Sequence, residues 1–136
     1  MYLLDTNVVS ELRRTRPHGA VLAWLEGIRT EPIYLSAVTL GEIQAGIELT
    51  RDQDPNKAAE IEAWLDQVEQ TSTVLPLDGR TLRIWAKLMR HRSDDLIEDA
   101  MIAATALRHG LTVVTRNVRD FETFGVQILD PFVTER

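Results

Sequence analysis

Cysteine is absent from this chain, which removes disulfide frameworks and thiolate metal sites and fits a reducing compartment. Long apolar runs are absent too: no stretch approaches the about 20 apolar residues that a membrane span needs. The start, Met1-Tyr2-Leu3-Leu4-Asp5, has no basic flank and too short an apolar run for a secretory signal. A cytoplasmic protein with no membrane partner is therefore expected. Positive charge is scarce as well. Lys and Arg number 15 against 21 Asp and Glu, for a net charge of −6 and a pI near 5.0. That argues against indiscriminate nucleic-acid binding, which relies on many cationic contacts to phosphate. It leaves a nucleic-acid substrate open, because bound metal can neutralise a local cluster of acids. His18, His91 and His109 stand at no ligand-like spacing, so a zinc site is not expected.

What is present is ordinary for a globular chain. With 136 residues, 44% hydrophobic and 26% charged, residues 1–136 are expected to form one domain. A domain of this size buries roughly two-thirds of its unfolded surface. No repeat, low-complexity segment or linker is visible.

Strand and helix signals alternate. Tyr2-Leu3-Leu4 reads as a strand stopping at Asp5-Thr6-Asn7, a helix-start signal. Helices are predicted over Val8 to Arg14 and Gly19 to Ile28, and a strand over Ile33 to Ser36. Thr39 is the expected cap of the next helix, with Glu42 at capping-box spacing. That helix runs to about Thr50. The polar Arg51 to Asn56 stretch breaks it, and Lys57 to Gln70 forms its antiparallel partner. Thr73 to Leu77 is a β-type run containing Pro76. Asp78 caps a helix to about Arg90 with Leu82, Trp85, Ala86 and Met89 inward, and His91 to Asp95 is a loop. A helix from Ile97 to the Gly110 stop, a strand ending near Thr115, and a last strand at Gln127 to Leu129 complete the chain. The fold class is α/β: three layers, with a mostly parallel sheet of four or five short strands and helices on both faces.

Open α/β sheets place their sites beyond the carboxyl ends of the strands. Asp5 follows the first strand, Glu42 lies in the first turn of the helix after the second, Asp99 opens the helix before the fourth, and Asp120 comes just after it. All four acids reach one rim, where Thr115 and Asn117 join them. Such a cluster repels itself unless protonated or bound to cations. Hard oxygen ligands suit Mg²⁺ or Mn²⁺, which polarise phosphoryl oxygens and activate water. The expected chemistry is metal-assisted phosphodiester hydrolysis with water as nucleophile. Each acid also has a plainer reading: Asp5 as a helix cap, Glu42 as the partner of Thr39, Asp99 as a first-turn acid with Asp94, Asp95 and Glu98 as competitors, Asp120 as a turn cap.

Two other phosphoryl-transfer designs fit less well. A receiver domain needs an acidic pair after the first strand and a lysine after the fifth, and a dehalogenase-type phosphatase needs an acid where Asn7 stands. A binding module that keeps the pocket only to dock a partner is the third alternative.

Four pieces of the chain carry a family resemblance: Leu4-Asp5-Thr6-Asn7 with Ser10-Glu11, Ser36 to Gly46, Asp99 to Ala106, and Thr115 to Phe121. Through them, over nearly its full length, the chain resembles the PIN-domain ribonucleases, specifically the VapC and FitB-like toxins of toxin–antitoxin pairs. The resemblance implies Asp5, Glu42, Asp99 and Asp120 as a Mg²⁺/Mn²⁺ site. Asp5 and Asp99 bind the ion, and Glu42 and Asp120 act directly or through water. It selects Asp99 over its acidic neighbours, makes Glu98 an assisting neighbour, and gives Asn7 and Thr115 supporting roles beside Asn117. It further implies an RNA substrate, often structured RNA such as tRNA, a homodimer, and a small antitoxin partner. An RNA substrate needs positive charge beside the pocket, and the candidates are Arg13, Arg14, Arg16, Arg116 and Arg119. Trp24, Trp64 and Trp85 lie on apolar helix stripes and are expected in the core.

Overall fold

The computed structural model describes residues 1–133 and contains an α/β fold built on five parallel strands. In chain order the elements are β1 (Tyr2–Leu4), α1 (Thr6–Leu12), α2 (Gly19–Gly27), β2 (Ile33–Ser36), α3 (Ala37–Arg51) and α4 (Pro55–Thr71). Then follow β3 (Thr73–Leu75), α5 (Gly79–Leu88), a 3-10 turn (Asp94–Leu96), α6 (Ile97–His109), β4 (Thr112–Val114), α7 (Val118–Glu122) and β5 (Ile128–Leu129).

The strand order is β3-β2-β1-β4-β5. The chain thus starts in the centre, walks outward through β2 and β3, then returns to the other side of β1. That reversal opens a crevice at the carboxyl ends of β1 and β4, where doubly wound sheets put their sites. Leu4 registers with Val114 across this junction, and the Asp5 N–H donates to the Val114 carbonyl at 2.9 Å. Asp5 and Thr115 are thereby side by side.

Neighbouring strand residues point to opposite faces, and each face has its own core. Leu3 and Val113 pack with Ala103, Ala106 and Phe121 beneath α5, α6 and α7. Leu4, Leu35 and Val114 pack with Val8, Val9 and Val21 beneath α1 and α2. Apolar residues on both faces of such short strands are what a covered parallel sheet requires. A third cluster, centred on Ile47, Ala58 and Leu65, joins α3 to α4 as an antiparallel pair. Each of the three tryptophans is half-buried against one of these clusters, as the helix stripes imply.

Several local expectations are corrected. The cap of α3 is Ser36, whose Oγ accepts from the Val38 N–H, so Thr39 lies inside the helix, fully buried, and is no cap. β2 passes into α3 without a loop, which makes Ser36 at once the last strand residue and the cap. Glu42 consequently sits in the second turn rather than the first, and it forms no capping box. On α5 the buried position is Thr81, while Leu82 and Ala86 face outward. The stretch after it contains the 3-10 turn at Asp94–Leu96 rather than loop alone. β3 stops before Pro76, whose missing N–H ends the ladder. Asp120 belongs to the short helix α7, not to a simple turn.

α6 deserves its central place for physical reasons. Ala100, Ala103, Ala104 and Ala106 are fully buried, and such small side chains let the helix lie close to the sheet. Thr105 donates to the Met101 carbonyl and pairs with Ser36 at 3.1 Å, pinning α6 over the carboxyl end of β2. Gly110, at φ 65°, closes the helix in the left-handed region that a side chain disfavours. At the other end the Trp85 indole donates to the Ile97 carbonyl at 3.2 Å. The first turn of α6, with Asp99, is thus held at the crevice.

Candidate active site

The four acids are joined across the crevice by a run of hydroxyl and amide groups. Asp5, nearly fully buried, caps α1 by accepting from the Thr6 N–H on Oδ1 at 2.8 Å. Its Oδ2 accepts from the Thr115 hydroxyl at 2.7 Å. One oxygen of Asp5 thus caps α1, as its position after β1 suggests, and the other is held by Thr115 across the crevice. Thr115 Oγ1 in turn accepts from the Asn117 N–H at 2.8 Å and, more weakly, from the Asn7 amide at 3.4 Å. The Asn117 side-chain amide then donates to Asp99 Oδ2 at 3.0 Å and Asp120 Oδ2 at 2.9 Å. On the opposite side the Thr6 hydroxyl donates to Glu42 Oε1 at 2.9 Å and touches Thr39 Oγ1 at 3.0 Å.

Each acid arrives by a different route. Asp5 and Asn7 are set by the turn from β1 into α1, Glu42 by α3, Asp99 by the first turn of α6, and Asp120 by α7. Asn117, the residue before α7, reaches two of them because the chain turns back there. In the sequence Thr6 and Glu11 stand only as members of the Leu4-Asp5-Thr6-Asn7 and Ser10-Glu11 motifs, with no role of their own. Thr6 stands inside the Asp5-Thr6-Asn7 triplet, where a polar side chain at the first turn of a helix faces the rim. That position was its only signal.

The electrostatics are uniform in sign. Burial, followed by the negative charges of Asp5, Asp120, Glu42 and Glu98, pushes the Asp99 carboxyl up to about 6. Burial also raises Asp5, against the hydrogen bonds from Thr115 and Thr6. Glu42 is raised by burial and by the charges of Asp5 and Glu98, opposed by the Thr6 hydroxyl. Glu98 itself is exposed, close enough to repel both Asp99 and Glu42.

Among the described residues, none of the four acids forms an ion pair with a cationic side chain. No three acid or imidazole groups there close on a common point. Hydrogen-bond donors hold the carboxylates apart instead. The donor set fits Mg²⁺ or Mn²⁺: all hard oxygens, short of positive charge, with lone pairs left on Asp5 and Asp99. Mg²⁺ in particular needs only one or two carboxylates and keeps several waters, so a three-acid cage is not a requirement.

The candidate arginines divide into two kinds. Arg14 pairs with the buried Glu11 at 3.3 Å, and Glu11 also accepts from the His18 N–H at 3.0 Å. Burial pushes the Glu11 carboxyl up, but the His18 N–H, Arg14 and the charge of Arg116 outweigh it and hold it below its ordinary value. Arg116 lies over the Phe132 ring at 4.1 Å, and its backbone N–H donates weakly to Asn7 Oδ1. Arg13, Arg16 and Arg119 are exposed and form no ion pair among the described residues.

Known proteins share this architecture. The family model described as the PIN domain matches residues 2–126. Toxin FitB of Neisseria gonorrhoeae is 33% identical, over 97% of this chain and 99% of its own. A VapC ribonuclease of Sinorhizobium fredii is 37% identical, over 97% of this chain and 98% of its own. The crystal structure of FitAcB from Neisseria gonorrhoeae superposes with a TM-score of 0.85 at 34% identity, covering 97% of this chain and 99% of that one. On the match of the family model and the end-to-end similarity of these relatives, the chain belongs to the PIN-domain family, among its VapC and FitB-like toxins.

Proposed function

We propose that this protein is a metal-dependent endoribonuclease, the toxin of a toxin–antitoxin pair, formed as one domain. The observation that carries the reading is a rim of four carboxylates with no cationic partner among the described residues, three of them (Asp5, Glu42 and Asp99) with raised pKa values, in a chain similar to a VapC ribonuclease. Asp5 and Asp99 hold Mg²⁺ or Mn²⁺, with Glu42 and Asp120 contributing directly or through water. When bound, the ion supplies polarisation of a phosphoryl oxygen and a lowered pKa for the attacking water.

The chain's own groups do the rest. Thr115 and the Thr6 N–H fix the Asp5 carboxylate, so its oxygens need no reorganisation on binding. Thr6 orients Glu42 toward the crevice, where it can accept a proton from water. Asn117 holds Asp99 and Asp120 as a pair. Exposed arginines neutralise the phosphates of the strand that enters. Arg13, Arg16 and Arg119, exposed and without an ion pair among the described residues, are the first candidates, with Arg116 and Arg14 secondary because of Phe132 and Glu11. Asn7 and Glu98 support the rim.

The substrate is RNA, and a structured RNA such as tRNA falls within the proposal. The partners are a small antitoxin and a second copy of the chain, and the location is the cytoplasm. No helix among the described residues is long and apolar enough to cross a membrane. The test is sequencing of RNA ends after brief expression of the unsubstituted and Asp5→Asn proteins. New 5′ ends in the first and none in the second are expected. The same ends in both would refute the assignment.

A further inference from the structure

An open groove of about 350 Å³ leads away from the rim, between α1 and the α3–α4 pair. It begins at Thr6 and Glu42 and passes Gly46 and Thr50 to reach Arg13 and Ile61. Arg13 and Ile61 also border a second groove, of about 360 Å³, whose outer wall carries Lys57, Glu60 and Trp64. The two grooves adjoin at Arg13 and Ile61, and end to end they mark a path, or channel, from the acidic rim to Trp64.

One wall is a single helix face, since Glu42, Gly46 and Thr50 recur at i, i+4 and i+8 along α3. Glycine within a helix weakens it relative to alanine. A Cβ built on Gly46 meets no atom within 4 Å, so the chain's own packing does not demand glycine there. What its hydrogen leaves is room in the channel.

The charge changes sign along the way. Beyond Glu42 the charged groups are Arg13, Lys57 and Glu60, two cations to one acid in a chain of net charge −6. Neither cation is paired among the described residues, whereas Arg14 is taken up by Glu11. Half-buried Trp64 adds an indole at the outer end. An acidic metal-binding end, then cations, then an aromatic surface suits a polyanion whose bases stack, which is how single strands are held without sequence reading.

We propose that this channel carries the single-stranded RNA flanking the scissile phosphate, with Arg13 and Lys57 on successive backbone phosphates and Trp64 as a base-stacking surface. The proposal rests on the ribonuclease reading of the acids at its inner end. Binding of short and long end-labelled single-stranded RNA oligonucleotides tests it, by fluorescence anisotropy across a salt series with the full-length Asp5→Asn protein. Arg13→Glu with Lys57→Glu should weaken the long oligonucleotide on the order of tenfold and the short one by clearly less. The salt slope should flatten by about 1.4, the loss of two single-strand phosphate contacts. Gly46→Leu should remove the advantage of the long strand, and Gly46→Ala, which favours the helix and adds little bulk, should keep most of it. With Asp5 intact, the charge reversals should raise KM for long RNA by a larger factor than any change in kcat.

Unchanged affinity and salt slope for the long strand would overturn the proposal. So would an unaltered RNA response accompanied by loss of binding to a purified antitoxin, which would make the channel a protein-docking groove. Absence of cleavage by the unsubstituted chain, with long-strand binding still dependent on Arg13 and Lys57, would bring down the nuclease reading alone and leave the channel standing.

Discussion

Two clusters of acids lie in this molecule, and they are opposites. On the α3–α4 pair, Glu48 and Glu62 share Arg51 and Gln44. Arg51 donates to them at 2.9 and 3.1 Å, and Gln44 to both at 2.7 Å. The Arg51 and Gln44 hydrogen bonds lower Glu48, and the same two groups, Gln44 foremost, lower Glu62. At the crevice, Asp5, Glu42 and Asp99 are raised instead, because burial and mutual repulsion meet only neutral donors. The first cluster is complete without anything from outside. The second is organised in geometry and deficient in charge, the state of a site that takes up a cation or shifts its protonation. Acid count alone would not separate the two; the identity of the donors does.

Substitutions can break this contrast in order of size. Asp5→Asn should lower RNA cleavage at least on the order of a hundredfold while keeping the fold, whereas Arg51→Met should leave cleavage at the original rate. Equal losses in the two would erase the distinction, and steady-state cleavage with circular dichroism reads both. Thr6→Val removes the donor to Glu42 but no acid, so a smaller loss of about 10–100-fold is expected, typical of a residue that orients a ligand. Unaltered cleavage and metal affinity in that variant would show that Glu42 needs no orientation.

Stability against pH should also differ between the clusters. With Asp99 at about 6 when folded and near 3.9 unfolded, the native state binds its proton more tightly. Its contribution is therefore fully present below about pH 4 and is lost as pH rises through 6. Without divalent cations, Asp99→Asn should be more stable than the unsubstituted chain at pH 7 by about 1–2 kcal/mol, after allowing for solvent screening of a half-buried group. Urea denaturation at pH 5 and pH 7 checks this, and a gain of the same size at both would contradict it. The glutamates of the pair have the reverse sign: their contribution exists above the unfolded pKa and is lost as pH falls. Being open to solvent screening, they should give the smallest effect, so Arg51→Met should shift stability least of these substitutions, and less again in high salt.

Much of this is legible in the amino-acid sequence. Apolar runs ending in polar residues located the strand ends, and strand ends in a doubly wound sheet locate the rim, so Asp5, Asp99 and Asp120 could be placed from β1, α6 and β4 alone. The errors have physical origins. Ser36 and Thr39 both carry cap-forming hydroxyls, and Glu42 stands at box spacing from the wrong one. α7 spans too few residues for its periodicity to register. Thr6 and Glu11 lie within sequence motifs, but their roles come from the Thr6–Glu42 contact and the His18 N–H bond to Glu11, which sequence spacing does not show.

The central claim is that the crevice, unlike the acidic pair on α3–α4, is built to receive a cation. Thermal unfolding at pH 7 with and without Mg²⁺ or Mn²⁺ tests it most directly, on the unsubstituted chain and on Asp99→Asn and Arg51→Met. A cation that binds only the folded protein stabilises it by about 2.7 kcal/mol at a hundred times its Kd. The midpoint should rise in the unsubstituted chain and equally in Arg51→Met, and stay nearly still in Asp99→Asn. A midpoint unmoved by either ion in the unsubstituted chain, or moved as far in Asp99→Asn, would contradict the account.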